Sequence, residues 1–145
     1  MAVAAPNVEQ LAMRLRQSTM RLRRRLRTEL PSGLSQTDFS ALATVIREGR
    51  IGLGELAQRE GVKPPSMTRI AAALERDALV VRRTDPTDRR RAWLEATPSG
   101  RRLVERNRRQ RDAYLATVLR GLSPDDLLAL ERGVAVLERV TDAPR

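Results

Sequence analysis

Arg89, Arg90 and Arg91 follow directly on Asp88, inside the stretch DPTDRRRAWLEATPSG that runs from Asp85 to Gly100. Guanidinium groups are planar, permanently charged donors suited to phosphate oxygens and guanine edges. Asp85-Pro86 supplies turn chemistry, and in Ala92-Trp93-Leu94-Glu95-Ala96 the alternation puts Ala92, Leu94 and Ala96 on one face of a short strand. The segment reads as a β-hairpin whose tip presents arginines to a polyanion. Asp88 fits two roles that spacing does not separate, a turn residue and a carboxylate that orients a neighbouring arginine. Trp93 is placed to pack this hairpin against the next helix, for which Thr97 offers a hydroxyl N-cap and Pro98 the first position.

A second constellation precedes the hairpin, LGELAQREGVKPPSMTRIAAALERDALV from Leu53 to Val80. Two short helices joined by a tight turn at Gly61-Val62-Lys63-Pro64 form a helix-turn-helix pattern, and the second helix is sized to enter a DNA major groove. That helix is expected to start at Pro65. Pro65, Ser66, Thr68 and Arg69 then lie near its N-terminus, where base edges and phosphates are met, and Arg69 suits bidentate readout of a guanine. Leu56 and Ala57 face the contact between the two helices. A basic hairpin directly behind a helix-turn-helix makes double-stranded DNA the leading partner.

The elements that must hold these residues follow from apolar periodicity and breakers. Val8, Leu11, Leu15, Leu22 and Leu26 recur at helical spacing from Asn7, the expected N-cap, to Leu30, and Pro31-Ser32-Gly33 ends that helix. Ser35 and Asp38 form a capping-box variant, with Leu34 and Phe39 as its hydrophobic staple, opening a helix that stops at Gly49. Ile51 adds a short strand, and Leu79 to Thr84 is expected to be the strand leading into the hairpin tip. A long basic helix extends from Pro98 to about Arg120, and Ser123 caps a last helix with its apolar seam at Leu127, Leu130, Val134 and Leu137. The fold class is mainly α, about six helices, with a small β-hairpin wing: a winged helix-turn-helix in a single domain of 145 residues.

Composition narrows the function further. The net charge of +10 favours an acidic partner, nucleic acid before an anionic membrane surface, and Lys63 is the only lysine among the cations. Cysteine and histidine are both absent, which excludes disulfides, thiol redox switching, Cys/His metal sites and histidine acid–base catalysis. No nucleophile–base pair or phosphate loop supports an enzyme, and no cofactor is expected. Met1 to Pro6 lack the basic and long apolar regions of a signal peptide, so a cytoplasmic protein without a membrane anchor is expected.

The run VKPPSMTRIAAALERDALVVRRTDPTDRRRAWLEATPSGRRL, Val62 to Leu103, resembles the MarR family of bacterial transcriptional regulators. The family's wing Asp-x-Arg falls on Asp88 and Arg90, and its Thr-x-x-Gly on Thr97 and Gly100. The resemblance implies an obligate dimer whose recognition helix enters the major groove. Arg90, held by Asp88, would enter the minor groove, and Ser35, Gln36 and Thr37 at the start of the second helix would help to bind phosphate. It further implies a repressor of a pseudo-palindromic operator, relieved by a small, often aromatic and acidic, molecule. Three departures stand out: Pro64 replaces a capping serine, Ala78 replaces the glycine after the recognition helix, and Ala96 stands where leucine is usual.

The terminal helices, residues 7–33 and 98–141, lie outside the DNA-binding region of residues 34–97 and carry apolar stripes that suit a symmetric dimer reading a palindrome. Their arginine-rich stretches read as solvated faces that add long-range attraction to DNA or recruit anionic ligands. The alternative function is an architectural DNA-binding protein with little sequence preference.

Overall fold

Helix starts in this chain are made locally, by side chains that accept the N–H groups a first turn leaves unpaired. Asn7 Oδ1 accepts from the backbone N–H of Gln10 at 2.9 Å, opening α1 (Val8–Glu29). Ser35 Oγ does the same for Asp38 at 3.1 Å, opening α2 (Gln36–Glu48). The computed structural model describes residues 7–29, 33–88 and 90–142. The expected stop at Pro31-Ser32 and the tip residue Arg89 lie outside them.

The remaining elements are β1 (Arg50–Gly52), α3 (Leu53–Glu60), α4 (Pro64–Arg76), β2 (Val80–Thr84), β3 (Ala92–Ala96), α5 (Pro98–Leu119) and α6 (Pro124–Asp142). The order is that of a winged helix-turn-helix. Two boundaries differ from expectation. Helix α4 begins one residue early, at Pro64, because a missing N–H costs nothing in a first turn. Strand β2 begins at Val80, since Leu79 is still used in closing α4.

The described residues fall into two compact units, one ending at Arg108 and one starting at Arg109. In the first, α2, α3 and α4 pack on one another and on an antiparallel sheet of order β1-β3-β2. Leu42, Val45, Leu56, Met67, Leu74, Val80 and Leu94 are fully buried between them. Each such side chain contributes roughly 1.5–3 kcal/mol over leaving it in water. On α4 the buried set is Met67, Ile70, Ala71 and Leu74, which turns Pro65, Thr68, Arg69 and Ala72 outward.

Helix α4 ends in a Schellman motif. Leu79 N–H donates to the Leu74 carbonyl at 2.9 Å, and Ala78 N–H to the Glu75 carbonyl at 2.9 Å. That geometry puts Ala78 in the left-handed region at φ 55°, where glycine would carry no strain.

In the second unit Ser123 Oγ accepts from Asp126 N–H at 3.1 Å and donates to the Asp126 carboxylate at 2.7 Å, starting α6. No residue of α6 is buried.

Candidate nucleic-acid interface

The hairpin tip is organised by two carboxylates with different tasks. Asp85 Oδ1 accepts from the Thr87 hydroxyl at 2.6 Å, the Thr87 N–H at 2.8 Å and the Asp88 N–H at 3.2 Å. Donation from the Thr87 hydroxyl, then from the Thr87 and Asp88 backbone, lowers the Asp85 carboxyl below its usual range. Asp85 thus builds the turn. Its carboxylate leaves Asp88 free for the arginines: Asp88 Oδ1 accepts from Arg90 N–H at 3.1 Å and from Arg90 Nε at 3.3 Å, and its Oδ2 lies 3.8 Å from Arg91 Nε. The Arg90 side chain is nonetheless 93% exposed, so its outer nitrogens face solvent while its stem is anchored.

Asp88 therefore contacts two cations, Arg90 and Arg91. The structural role of Asp85 with Thr87 was open to detection from the Asp-x-Thr spacing, a common side-chain-to-backbone turn. Trp93 does not serve as expected. It lies on the face of β3 opposite the buried Leu94, donates from Nε1 to Glu95 at 2.6 Å and sits under the Arg50 guanidinium 5.3 Å from its ring centre. An indole N–H needs an acceptor, and Glu95 two residues along the same face provides it.

The hairpin is tied to α4 at both ends. Arg82 on β2 makes a forked pair with Glu75 of α4, Nη2 to Oε2 at 3.1 Å and Nε to Oε1 at 3.3 Å. The Thr97 hydroxyl donates to the Ala78 carbonyl at 2.7 Å and accepts from Gly100 N–H at 3.0 Å, joining the end of α4 to the start of α5. Any β-carbon at Gly100 would strike the Leu79 backbone carbonyl. The Thr-x-x-Gly spacing is thereby explained as a junction between the end of α4 and the start of α5.

Along α4, Ser66 and Arg69 line an open, polar groove of about 500 Å³, and Ser35 and Thr37 from the start of α2 line its other side. Tertiary packing of α2 on α4 brings together these four residues, which are distant in sequence. Arg69 is exposed and makes no ion pair among the described residues, so its fork is uncommitted. Thr68 turns its hydroxyl back to the Pro64 carbonyl at 3.1 Å, leaving its methyl group for outside contact. Pro65 is exposed on the same outward face, and Gln36 is held by Arg27 of α1 at 2.5 Å, outside the groove. Among the described residues no cluster could hold a metal ion, and no helix is long and apolar enough to cross a membrane.

The MarR family model matches residues 34–92, which span this groove and most of the hairpin. The chain is 38% identical over 136 residues to the uncharacterized HTH-type transcriptional regulator ML2140 of Mycobacterium leprae, covering 92% of this chain and 95% of that protein. It is 28% identical over 110 residues to the HTH-type transcriptional repressor MdtR of Bacillus subtilis, covering 76% and 71%. The crystal structure of RV1404 from Mycobacterium tuberculosis superimposes with a TM-score of 0.79 at 22% identity, over 99% of this chain and 100% of that one. An outward helix face, an arginine-tipped wing and these relatives converge: the chain belongs to the MarR family of DNA-binding transcriptional regulators, and it is not an enzyme.

Proposed function

We propose that the chain is a cytoplasmic homodimeric repressor that reads a pseudo-palindromic operator and is released by a small acidic, often aromatic, effector. The groove shared by Arg69, Ser66, Ser35 and Thr37 carries the reading. With α4 in the major groove, Arg69 reaches a guanine edge, and Pro65, Ser66 and Thr68 line the approach. Phosphate is met by Ser35 to Thr37, where the α2 N-terminus adds its partial positive charge. Ser35 Oγ already accepts from Asp38, so its hydroxyl proton is the part available to a phosphate oxygen.

The wing supplies a second point of attachment. Arg90, anchored by Asp88, enters the adjacent minor groove, where width and potential matter more than base identity. Arg89 and Arg91 flank it on the phosphates. In this reading residues 34–97 bind DNA and residues 7–33 and 98–141 dimerise. The similarity to MdtR supports the negative sign of regulation. Exposed apolar residues on α1 and α6 support the dimer.

Binding isotherms on the selected operator and on random duplex, across salt, test this. Arg69→Ala is expected to cost about 1–3 kcal/mol and to relax preference at one position per half-site. Arg90→Ala weakens binding and alters preference only in A·T-rich flanks. Asp88→Ala removes a negative charge, so simple electrostatics predicts tighter binding and an orienting role predicts weaker. Tighter operator binding by Asp88→Ala would reject that role. A wild-type preference for operator over random duplex well below roughly a thousandfold would favour an architectural protein instead.

A further inference from the structure

Helix α1 carries a cationic groove that the reading above does not use. Arg16, Arg21, Arg23, Arg24 and Arg27 line an open channel of about 590 Å³ together with Gln36 of α2. Seven arginines and no acidic residue fall between positions 10 and 28. Like charges three and four residues apart on a helix repel one another, so an anion lying along this face would relieve that repulsion.

Two placements identify the anion. At about 100° per residue, Arg16, Met20, Arg23 and Arg27 form one stripe, about 120° round the helix from the apolar stripe of Leu11, Leu15, Leu22 and Leu26. A partner on the apolar stripe leaves the arginines in water. The groove also meets the α2 N-terminus: Arg27 Nη1 donates to Gln36 Oε1 at 2.5 Å, and the neighbours of Gln36, Ser35 and Thr37, line the α4 groove. Three consecutive residues, Ser35, Gln36 and Thr37, thus line the two grooves between them.

We propose that the α1 groove is a second track for the DNA backbone, carrying phosphates that flank the segment read by α4. From Arg16 to Arg27 the helix rises about 16 Å, equal to the axial rise of roughly five nucleotides of one DNA strand. A small effector would need a site that encloses most of its surface, whereas this channel is open along its length. The inference rests on the α2 N-terminus facing DNA.

The test uses the full chain with Arg16→Gln, Arg23→Gln and Arg27→Gln combined, and operator duplexes with and without about ten additional base pairs at each end. The slope of log affinity against log salt is expected to fall by about 0.9 for each phosphate that is no longer neutralised. The gain from the longer duplex should disappear, while the ratio of operator to random binding stays as in wild type. An unchanged slope together with an unchanged length dependence overturns the proposal. So does displacement of DNA by sodium benzoate or inorganic phosphate that the triple variant abolishes without altering the slope, which would make the groove a small-anion site. Hydroxyl-radical footprinting of the unaltered protein gives a measurement free of folding effects, and protection confined to the operator core also overturns it. If wild type shows no preference for any duplex, the DNA reading itself has failed, an outcome distinct from these.

Discussion

Leu74 on α4 and Leu130 on α6 are the same residue type on helices of similar amphipathic pattern, yet one is 1% exposed and the other 41%. The winged unit closes on itself: α2, α3, α4 and the sheet bury the apolar positions that periodicity marks. Helix α6 buries nothing, and Leu127, Leu130, Val134 and Leu137 remain exposed along one face of it. Periodicity reports that a face must leave water. It does not report whether the covering surface belongs to the same chain. An exposed apolar face this extensive marks an interaction surface, and a closed two-fold dimer is its commonest solution.

The difference can be broken from either side. Leu74→Ala should cost about 2–5 kcal/mol through lost transfer energy and a residual cavity. Its melting temperature should fall equally at every protein concentration. Leu130→Ala combined with Val134→Ala should instead weaken self-association by at least about tenfold, equivalent to roughly 1.4 kcal/mol, and make the melting temperature depend on concentration. Sedimentation and melting over a dilution series separate the two. A concentration-independent loss in the α6 variant would place its stripe among surfaces satisfied within one chain.

Smaller effects sharpen the picture inside the winged unit. Ala78→Gly relieves a left-handed alanine at the α4 terminus and should stabilise by about 1 kcal/mol, read by chemical denaturation. No gain would mean that the Schellman bonds of Ala78 and Leu79 distort when the β-carbon is removed. The smallest effect concerns pH at the wing tip. The Asp85 carboxyl is lowered by its Thr87 and Asp88 donors, so its contribution is present above the ordinary carboxylate pKa of about 3.9 and is lost as pH falls through the lower folded value. Hydrogen exchange at Thr87 and Asp88 should accelerate in Asp85→Asn at neutral pH relative to wild type, and this difference should shrink in acid. Equal exchange at neutral pH would remove Asp85 from the turn.

Local signals were legible because the interactions behind them span three or four residues. Asn7, Ser35, Thr97 and Ser123 each accept the N–H three positions on, as their types and places indicate. Gly61 ends α3 in the left-handed conformation for the same local reason. The pairing of Asp88 with its neighbouring arginine also needs only two residues of chain. Where the expectation for Trp93 failed, the partners were Glu95 on its own strand face and Arg50 from another strand, and which face turned inward depended on the core rather than on the hairpin.

The helix order, the wing, the caps and the absence of thiol and imidazole chemistry were therefore set by residue type and spacing alone. Tertiary structure decided which distant groups share a surface. It brought Ser35 and Thr37 opposite Ser66 and Arg69, tied Arg82 to Glu75, and set Thr97 and Gly100 against the end of α4. It also linked Arg27 to Gln36, joining the α1 arginines to the α2 terminus. The physical reason is range. A cap or a turn is selected by a few neighbouring torsions, whereas a groove between α2 and α4 exists only once a common core has fixed their separation and rotation.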